Sequence, residues 1–363
     1  MGGLISDQSV IYGNGRSYGD VCLNSQPGLI DIKQLDRFIA FDEIKQTVTC
    51  QAGMLLNDLV NFLVPRKKYV QVTPGTSYVT IGGMIANDVH GKNHHLIGSF
   101  GNHLESIELL TSEHGLLKCS EKENTELFYA TIGGLGLTGL ILSATLRIKN
   151  INTPCIDTKS TVTHGVDELI ELFDEENTAY EYTVAWLDLY SKNLNGIFSS
   201  GRHSTTNELC GKYKSPKKIN VYAPGWVLNK YSNAMFNRLY FTKNSLVKQA
   251  IQIYQDFFYP LDKIEDWNRL YGRRGFYQYQ FVVPYSDFKS VFNSLMAIMK
   301  KYGQYSFLSV LKKFGEIESL GLLSFPRSGF TLAMDFPNLG EQTLKMFEEF
   351  DNIIISAKGA VYP

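Results

Sequence analysis

The sequence predicts an α+β chain of two interlocked domains, and three observations predict it. Its 363 residues exceed the usual size of a single domain. From Val10 to about Lys149, short strands are broken by Gly and Pro around one helix. Beyond a polar stretch from Lys149 to Pro154, segments of alternating apolarity are interleaved with amphipathic helices, the pattern of a second sheet with helices on it.

In the first part, strands are expected over Gly28 to Ile32 and Thr47 to Ala52. A helix is expected over Leu55 to Leu63, because Leu55, Leu56, Leu59, Val60 and Leu63 have helical spacing. In the second part, strands are expected over Phe276 to Val283, Ser306 to Phe314 and Phe330 to Phe336. Period two puts Gln278 and Gln280 on one face, sets Lys312 near the end of its strand, and separates Thr331 and Ala333 from Leu332, Met334 and Phe336. The clearest helix is expected over Asp287 to Lys300 after an N-cap at Ser286, burying Phe288, Val291, Phe292, Leu295 and Met299.

Apolar residues at 44% and charged residues at 20% exclude a disordered chain. A net charge of -1 is too small to concentrate a polyanion, so nucleic acid is not an expected partner. The five cysteines, Cys22, Cys50, Cys119, Cys155 and Cys210, form no CxxC pair and are expected to be reduced core thiols. No apolar run is long enough to span a membrane and no signal-peptide pattern opens the chain. A soluble chain is expected, cytoplasmic or peripheral at the membrane, with the periplasm left open.

Three glycine-rich segments carry the candidate chemistry. Gly13, Asn14, Gly15, Arg16, Ser17, Tyr18 and Gly19 follow an apolar segment, and glycines so spaced let successive N–H groups converge into a nest for a diphosphate. The dinucleotide fingerprint is absent, because no strong helical pattern follows and no acidic residue stands at the later position. The second segment runs from Pro74-Gly75-Thr76 through Gly82, Gly83, Asn87 and His90 to His103, and its small and polar residues suit a backbone wrapped around a flat polar ligand. Four of the seven histidines lie here, but glycines interrupt any helix that would align His90 with His94, so no metal site is expected. The third places Gly133, Gly134, Gly136 and Gly139 ahead of Ile141 and a strand over Ser143 to Ile148.

Taken together, these segments resemble the FAD-binding domain of the vanillyl-alcohol oxidase type. The string NDVHGKNHH with GSFGNH is most similar to one branch, the decaprenylphosphoryl-beta-D-ribose 2-prime-oxidase family. The likeness continues through Ala185-Trp186-Leu187-Asp188, Trp267-Asn268-Arg269, Gln278-Tyr279-Gln280-Phe281, Lys312 to Gly315, Met334-Asp335-Phe336-Pro337 and Ala357-Lys358, so it covers nearly the whole chain.

The resemblance implies a two-domain FAD-linked oxidase fold: an FAD domain over residues 1–153, a substrate domain over 154–351, and a return segment over 352–363. Gly13 to Tyr18 would hold the FAD diphosphate, and Gly75, Gly82, Gly83, Asn87, His90, Ile141 and Ile355 would also line the cofactor. Arg16 stands where covalent members of the wider fold carry a histidine, so FAD is expected without a covalent link. Lys92, Trp186, Gln278, Gln280 and Thr331 would line the substrate site, with Lys358, Lys312 and Tyr18 as catalytic candidates. A buried lysine has its charged form disfavoured and so suits the role of base.

The implied reaction is oxidation of the 2-prime hydroxyl of a polyprenyl-phosphate pentose to a ketone, completed by a reductase partner, with peripheral membrane contact through the lipid. An aldonolactone or alditol oxidase, or a flavin-binding protein without turnover, is the alternative. The chain departs from the family at Ala333, where a cysteine is usual, at Thr331, where an asparagine is usual, and at Ile355, where an aromatic is usual. Family members carry further segments before the first glycine turn and after the position of Lys358, so a fragment or a diverged short form is expected.

Overall fold

The computed structural model describes residues 9–25, 28–176, 179–206, 210–211, 213, 215–224 and 229–363. Two antiparallel sheets organise them. In the first, strands Phe38–Asp42, Thr47–Gln51, Leu140–Asn150, Leu104–Thr111 and Gly115–Ser120 lie in that order, and Lys68–Val70 pairs with the far end of Leu140–Asn150. The helix Leu56–Leu63 packs against it by burying Leu56, Leu59, Val60 and Leu63, as its spacing predicts. The strand expected over Gly28 to Ile32 is Leu29–Asp31, and it pairs in parallel with Val10–Tyr12, which leads into the first glycine turn.

The second sheet has eight strands in the order Gln249–Ile253, Cys155–His164, Asn195–His203, Tyr182–Leu187, Ser309–Phe314, Gly329–Pro337, Phe276–Val283 and Ala360–Val361. Every neighbouring pair is antiparallel. One face carries Tyr279, Phe281, Leu311, Leu332, Met334 and Phe336 into an apolar core closed by the helices Val166–Glu175, Tyr285–Tyr302 and Glu341–Ser356. Alternation therefore leaves Gln278, Gln280, Lys312, Thr331 and Ala333 on the opposite face, toward the first sheet.

Several expected boundaries move for identifiable reasons. The helix Tyr285–Tyr302 begins one residue after Pro284, whose fixed φ suits the entry, while the hydroxyl of Ser286 donates to its neighbour Asp287 instead of capping. The strand expected from Ser306 starts at Ser309, because the Ser306 hydroxyl accepts from the Asp335 N–H at 2.9 Å and Phe307 N–H donates to the Asp335 carbonyl at 3.1 Å. Residues 352–363 were expected to return to the first domain. Instead the helix Glu341–Ser356 buries Met346, Phe350 and Ile354 in the second core, and Ala360–Val361 pairs with Phe276–Val283. Only the last two residues turn back, Tyr362 against His90 and Pro363 toward Gly19.

The reading of five reduced core thiols is corrected in two places. Cys155 and Cys210 form a disulfide with their Cα atoms 5.6 Å apart, and Cys22 is half-buried; Cys50 and Cys119 are buried free thiols. A bridge closing 55 residues removes chain entropy from the unfolded state, typically on the order of 3 kcal/mol. Reduction with dithiothreitol, or Cys155→Ser with Cys210→Ser, should lower the melting temperature by several degrees. An unchanged melting temperature would show that the bridge adds no stability.

Candidate active site

The faces of the two sheets enclose one cavity of about 1910 Å³. Small-ligand pockets usually measure roughly 300–1,000 Å³, so there is room for two ligands side by side. All of Gly13 to Tyr18 lines it, together with Gly75, Gly82, Gly83, Asn87, His90 and Ile141 from the first layer. From the second come Trp186, Gln278, Gln280, Lys312 and Thr331, and Lys92 lines it as well.

The glycine segments allow backbone where side chains would not fit. A Cβ on Gly13 would stand 2.5 Å from Thr80 Oγ1, and one on Gly15, at φ 57°, would stand 2.3 Å from the Tyr12 hydroxyl. The turn is pinned by Asn14, whose Nδ2 donates to the Tyr78 carbonyl at 2.7 Å, and Arg16 lies over the Tyr78 ring. Thr80 caps the short helix Ile81–Ala86 by accepting from Gly83 N–H, and Asn87 Nδ2 donates to the Gly83 carbonyl at 2.8 Å.

Behind this wall, Asp88 is fully buried and at φ 41°, and its carboxylate accepts from Ser99 Oγ at 2.9 Å, Gly101 N–H at 2.8 Å and Ser324 Oγ at 2.6 Å. One side chain thus joins the second glycine segment to the loop that packs on Gly133. Burial raises its pKa despite these three donors.

On the second wall, Gln280 and Ala333 are register partners, as are Lys312 and Thr331. Gln280 Nε2 donates to Thr331 Oγ1 at 3.0 Å and to His90 Nε2 at 3.1 Å. His90 therefore carries its proton on Nδ1, a buried atom without a hydrogen-bond partner. Gln278 Nε2 donates to Asp335 at 2.8 Å, and the Tyr271 hydroxyl donates to the same carboxylate at 3.4 Å. Burial lifts Asp335 to about 7 against both donors. Tyr18, 46% exposed, stands edge-on to Phe276, 5.7 Å between centroids; desolvation by the surrounding walls and then Asp335 push its phenol up, so it stays protonated.

Two lysines share this space. Burial brings Lys312 down to about 8, and no ion pair among the described residues involves it. Burial, and then the charge of Lys312, bring Lys92 down to about 7; its ammonium donates to the Phe257 carbonyl and lies 4.2 Å from the centroid of that ring. An amine at these values is partly neutral near physiological pH and can take a proton.

Two expected site residues lie elsewhere. Lys358 is exposed and outside the cavity, since it follows the C-terminus of Glu341–Ser356 at φ 55°, a left-handed turn in which its N–H donates to the Ile355 carbonyl. Ile355 is 71% exposed on the solvent face of that helix, while Ile354 faces the core. Asp335, Tyr271 and Tyr362, which the sequence reading left unassigned, do line or brace the cavity. Asp335 was accessible from sequence, because it continues the alternation of Thr331 and Ala333.

The histidine-rich segment scatters its imidazoles. His94 Nδ1 accepts from Gly315 N–H at 3.3 Å, His95 lies by Thr183 and His103 by the Ile97 carbonyl. Burial lowers His94 to about 3 and His95 to about 4, so both are neutral. Among the described residues no three His, Cys, Asp or Glu side chains are grouped to hold a metal ion. Also among them, no helix is long and apolar enough to cross a membrane.

The residues present fit FAD on two observations: Gly13 to Tyr18 line the cavity with a turn whose Gly13 and Gly15 have no room for a Cβ, and His90 Nδ1–H is a buried donor without a partner. A model of the FAD binding domain family matches residues 6–120. The chain is 35% identical to decaprenylphosphoryl-beta-D-ribose oxidase of Mycolicibacterium smegmatis over 96% of its own length and 78% of that protein's. More distant similarity reaches L-gulonolactone oxidase of Bos taurus, 32% identical over 38% of this chain and 31% of that protein. D-arabinono-1,4-lactone oxidase of Yarrowia lipolytica is 27% identical over 50% of this chain and 35% of that protein. Similarity to the lactone oxidases thus spans about a third of each of them, whereas the likeness to the ribose oxidase runs through both walls of the cavity. The chain belongs to the decaprenylphosphoryl-beta-D-ribose oxidase family and is an FAD-dependent oxidoreductase.

Proposed function

We propose that this chain oxidises the 2-prime hydroxyl of a polyprenyl-phosphate pentose, decaprenylphosphoryl-beta-D-ribose, to the 2-keto sugar. The observation that carries the reading is the polar sheet face of Gln278, Gln280, Lys312 and Thr331 set across one cavity from the glycine segments. In this reading the FAD domain is residues 1–153 and the substrate domain 154–351.

Gly13 to Tyr18 hold the diphosphate, while Gly75, Gly82, Gly83, Asn87, His90 and Ile141 line the rest of the cofactor. Bound FAD supplies the hydride acceptor for the carbinol carbon. Lys312 takes the hydroxyl proton on Nζ, because burial keeps part of its population neutral. The charge it acquires then stabilises the alkoxide character of the transition state. Gln278 and Gln280, whose amide nitrogens donate to Asp335 and Thr331, are held in place to position sugar hydroxyls. Tyr18 remains a neutral donor, Trp186 offers a flat apolar surface, and Lys92 meets the phosphate.

The 2-keto product retains the other stereocentres, so a reductase partner delivering hydride to the opposite face completes epimerisation to the arabinose. The lipid tail of such a substrate also places the enzyme at a membrane surface. Anaerobic mixing with decaprenylphosphoryl-ribose should bleach the flavin, whereas L-gulono-1,4-lactone should not. Bleaching by the lactone alone assigns the chain to aldonolactone oxidation, and bleaching by no sugar assigns it to flavin binding without turnover.

FAD is held without a covalent bond in this account. Acid precipitation should therefore leave the yellow colour in the supernatant, and colour retained in the pellet would contradict it.

A further inference from the structure

The helix Lys230–Ser245 has its polarity reversed relative to a helix packed on a protein core. Its buried positions are asparagines one turn apart: Asn233 Nδ2 donates to the Tyr190 hydroxyl at 3.0 Å and Asn237 Nδ2 donates to Asp188 at 2.9 Å. Its outward face carries an apolar stripe. Tyr231, Met235 and Leu239, spaced at i, i+4 and i+8, are 74%, 63% and 63% exposed, and Leu246 just beyond the helix is 80% exposed. Isolated apolar side chains on a surface need no explanation, but a whole helix face with its amides turned inward does.

Charge points to the occupant of this face. From Cys210 to Gln255 the chain has seven Lys and one Arg and no Asp or Glu, although the whole protein has a net charge of -1. Arg238 and Lys243, both exposed, flank the apolar stripe on either side. An apolar stripe between long basic side chains is the arrangement that inserts at the headgroup boundary of an anionic bilayer. The stripe also runs into the cavity. Phe236 and Tyr240 line the cavity from the same helix, Tyr240 lying 4.7 Å from Trp186 and Phe236 lying 5.2 Å from Phe307 between ring centroids.

We propose that the helix Lys230–Ser245 is the membrane-docking element of this enzyme, lying in the surface of an anionic phospholipid bilayer with the cavity mouth facing the lipid. The inference rests on the reading of a lipid-linked substrate but is tested without one. Tyr231, Leu239, Arg238 and Lys243 lie outside the cavity lining, so changing them leaves the site intact.

The FAD-loaded protein should sediment with vesicles of phosphatidylcholine mixed with phosphatidylglycerol, not with phosphatidylcholine alone, and should release in high salt. Tyr231→Glu with Leu239→Glu should weaken this partitioning at least tenfold. Arg238→Gln with Lys243→Gln, which leaves the apolar face untouched, should do the same, since each basic group near such a surface contributes about fivefold. Both variants should keep their flavin spectrum and reduce it at the parent rate with a water-soluble short-chain substrate. Loss of that reduction in the parent protein would refute the substrate reading alone. Absence of vesicle binding by the parent protein, parent-level binding by either variant, or a lipid-free dimer that the first variant dissociates would overturn the docking proposal.

Discussion

Lys312→Ala is expected to keep its FAD and its fold while flavin reduction by substrate slows by roughly a hundredfold or more, the usual contribution of a positioned general base. The expectation follows from placement. Lys312 stands on the polar face of the second sheet, paired in register with Thr331, and burial brings it to about 8. For a base the neutral form is active, so the parent rate should rise with pH through about 8 and level off above it. Lys312→Arg should not restore activity, because a guanidinium stays charged at every accessible pH. Lys358→Ala is the control: an exposed lysine in a helix-terminal turn should leave the rate at the parent value. A parent-like rate in Lys312→Ala would remove the base from this account, and a shift of the pH limb in Lys358→Ala would put Lys358 back in the site.

Asp88→Ala is expected to cost roughly 4 kcal/mol or more, since hydrogen bonds to a charged group contribute about 1.5–3 kcal/mol each and three donors lose their acceptor together. The donors belong to Ser99, Gly101 and Ser324, so the loss loosens the second glycine segment against the loop on Gly133. FAD content should fall with stability. Asp88→Asn should be milder on two counts, because an amide oxygen still accepts and Asn tolerates the φ of 41° better than Ala. Thermal unfolding and the flavin-to-protein ratio after gel filtration check both variants. Parent-like values in Asp88→Ala would show that the loops are held by packing alone.

The cavity was legible in the sequence where local rules dictate the outcome. Glycines at Gly13 and Gly15 mark backbone where a Cβ has no room, and period-two alternation separates Gln278 and Gln280 from Tyr279 and Phe281. Local rules do not extend to Lys358: Ala357-Lys358-Gly359 reads equally as the start of a strand or as the end of a helix, and only the packing of Ile354 decides. The Cys155–Cys210 bridge escaped for a similar reason, as no spacing rule joins residues 55 apart. The helix Lys230–Ser245 gives no core-facing stripe because its buried face consists of asparagines, so apolar periodicity points the wrong way there. Tyr271 acts on the wall through its hydroxyl on Asp335, a contact with a strand residue 64 positions on that no local rule reveals.

In the proposed reaction the hydride leaves the carbon bearing the 2-prime hydroxyl. That origin is tested most directly by anaerobic rapid mixing of the FAD-loaded protein with decaprenylphosphoryl-ribose carrying deuterium at that carbon. Flavin bleaching should slow severalfold with deuterium at C2-prime and be unchanged with deuterium at C3-prime. An isotope effect at C3-prime, or bleaching at the same rate with every labelled sugar, would contradict it.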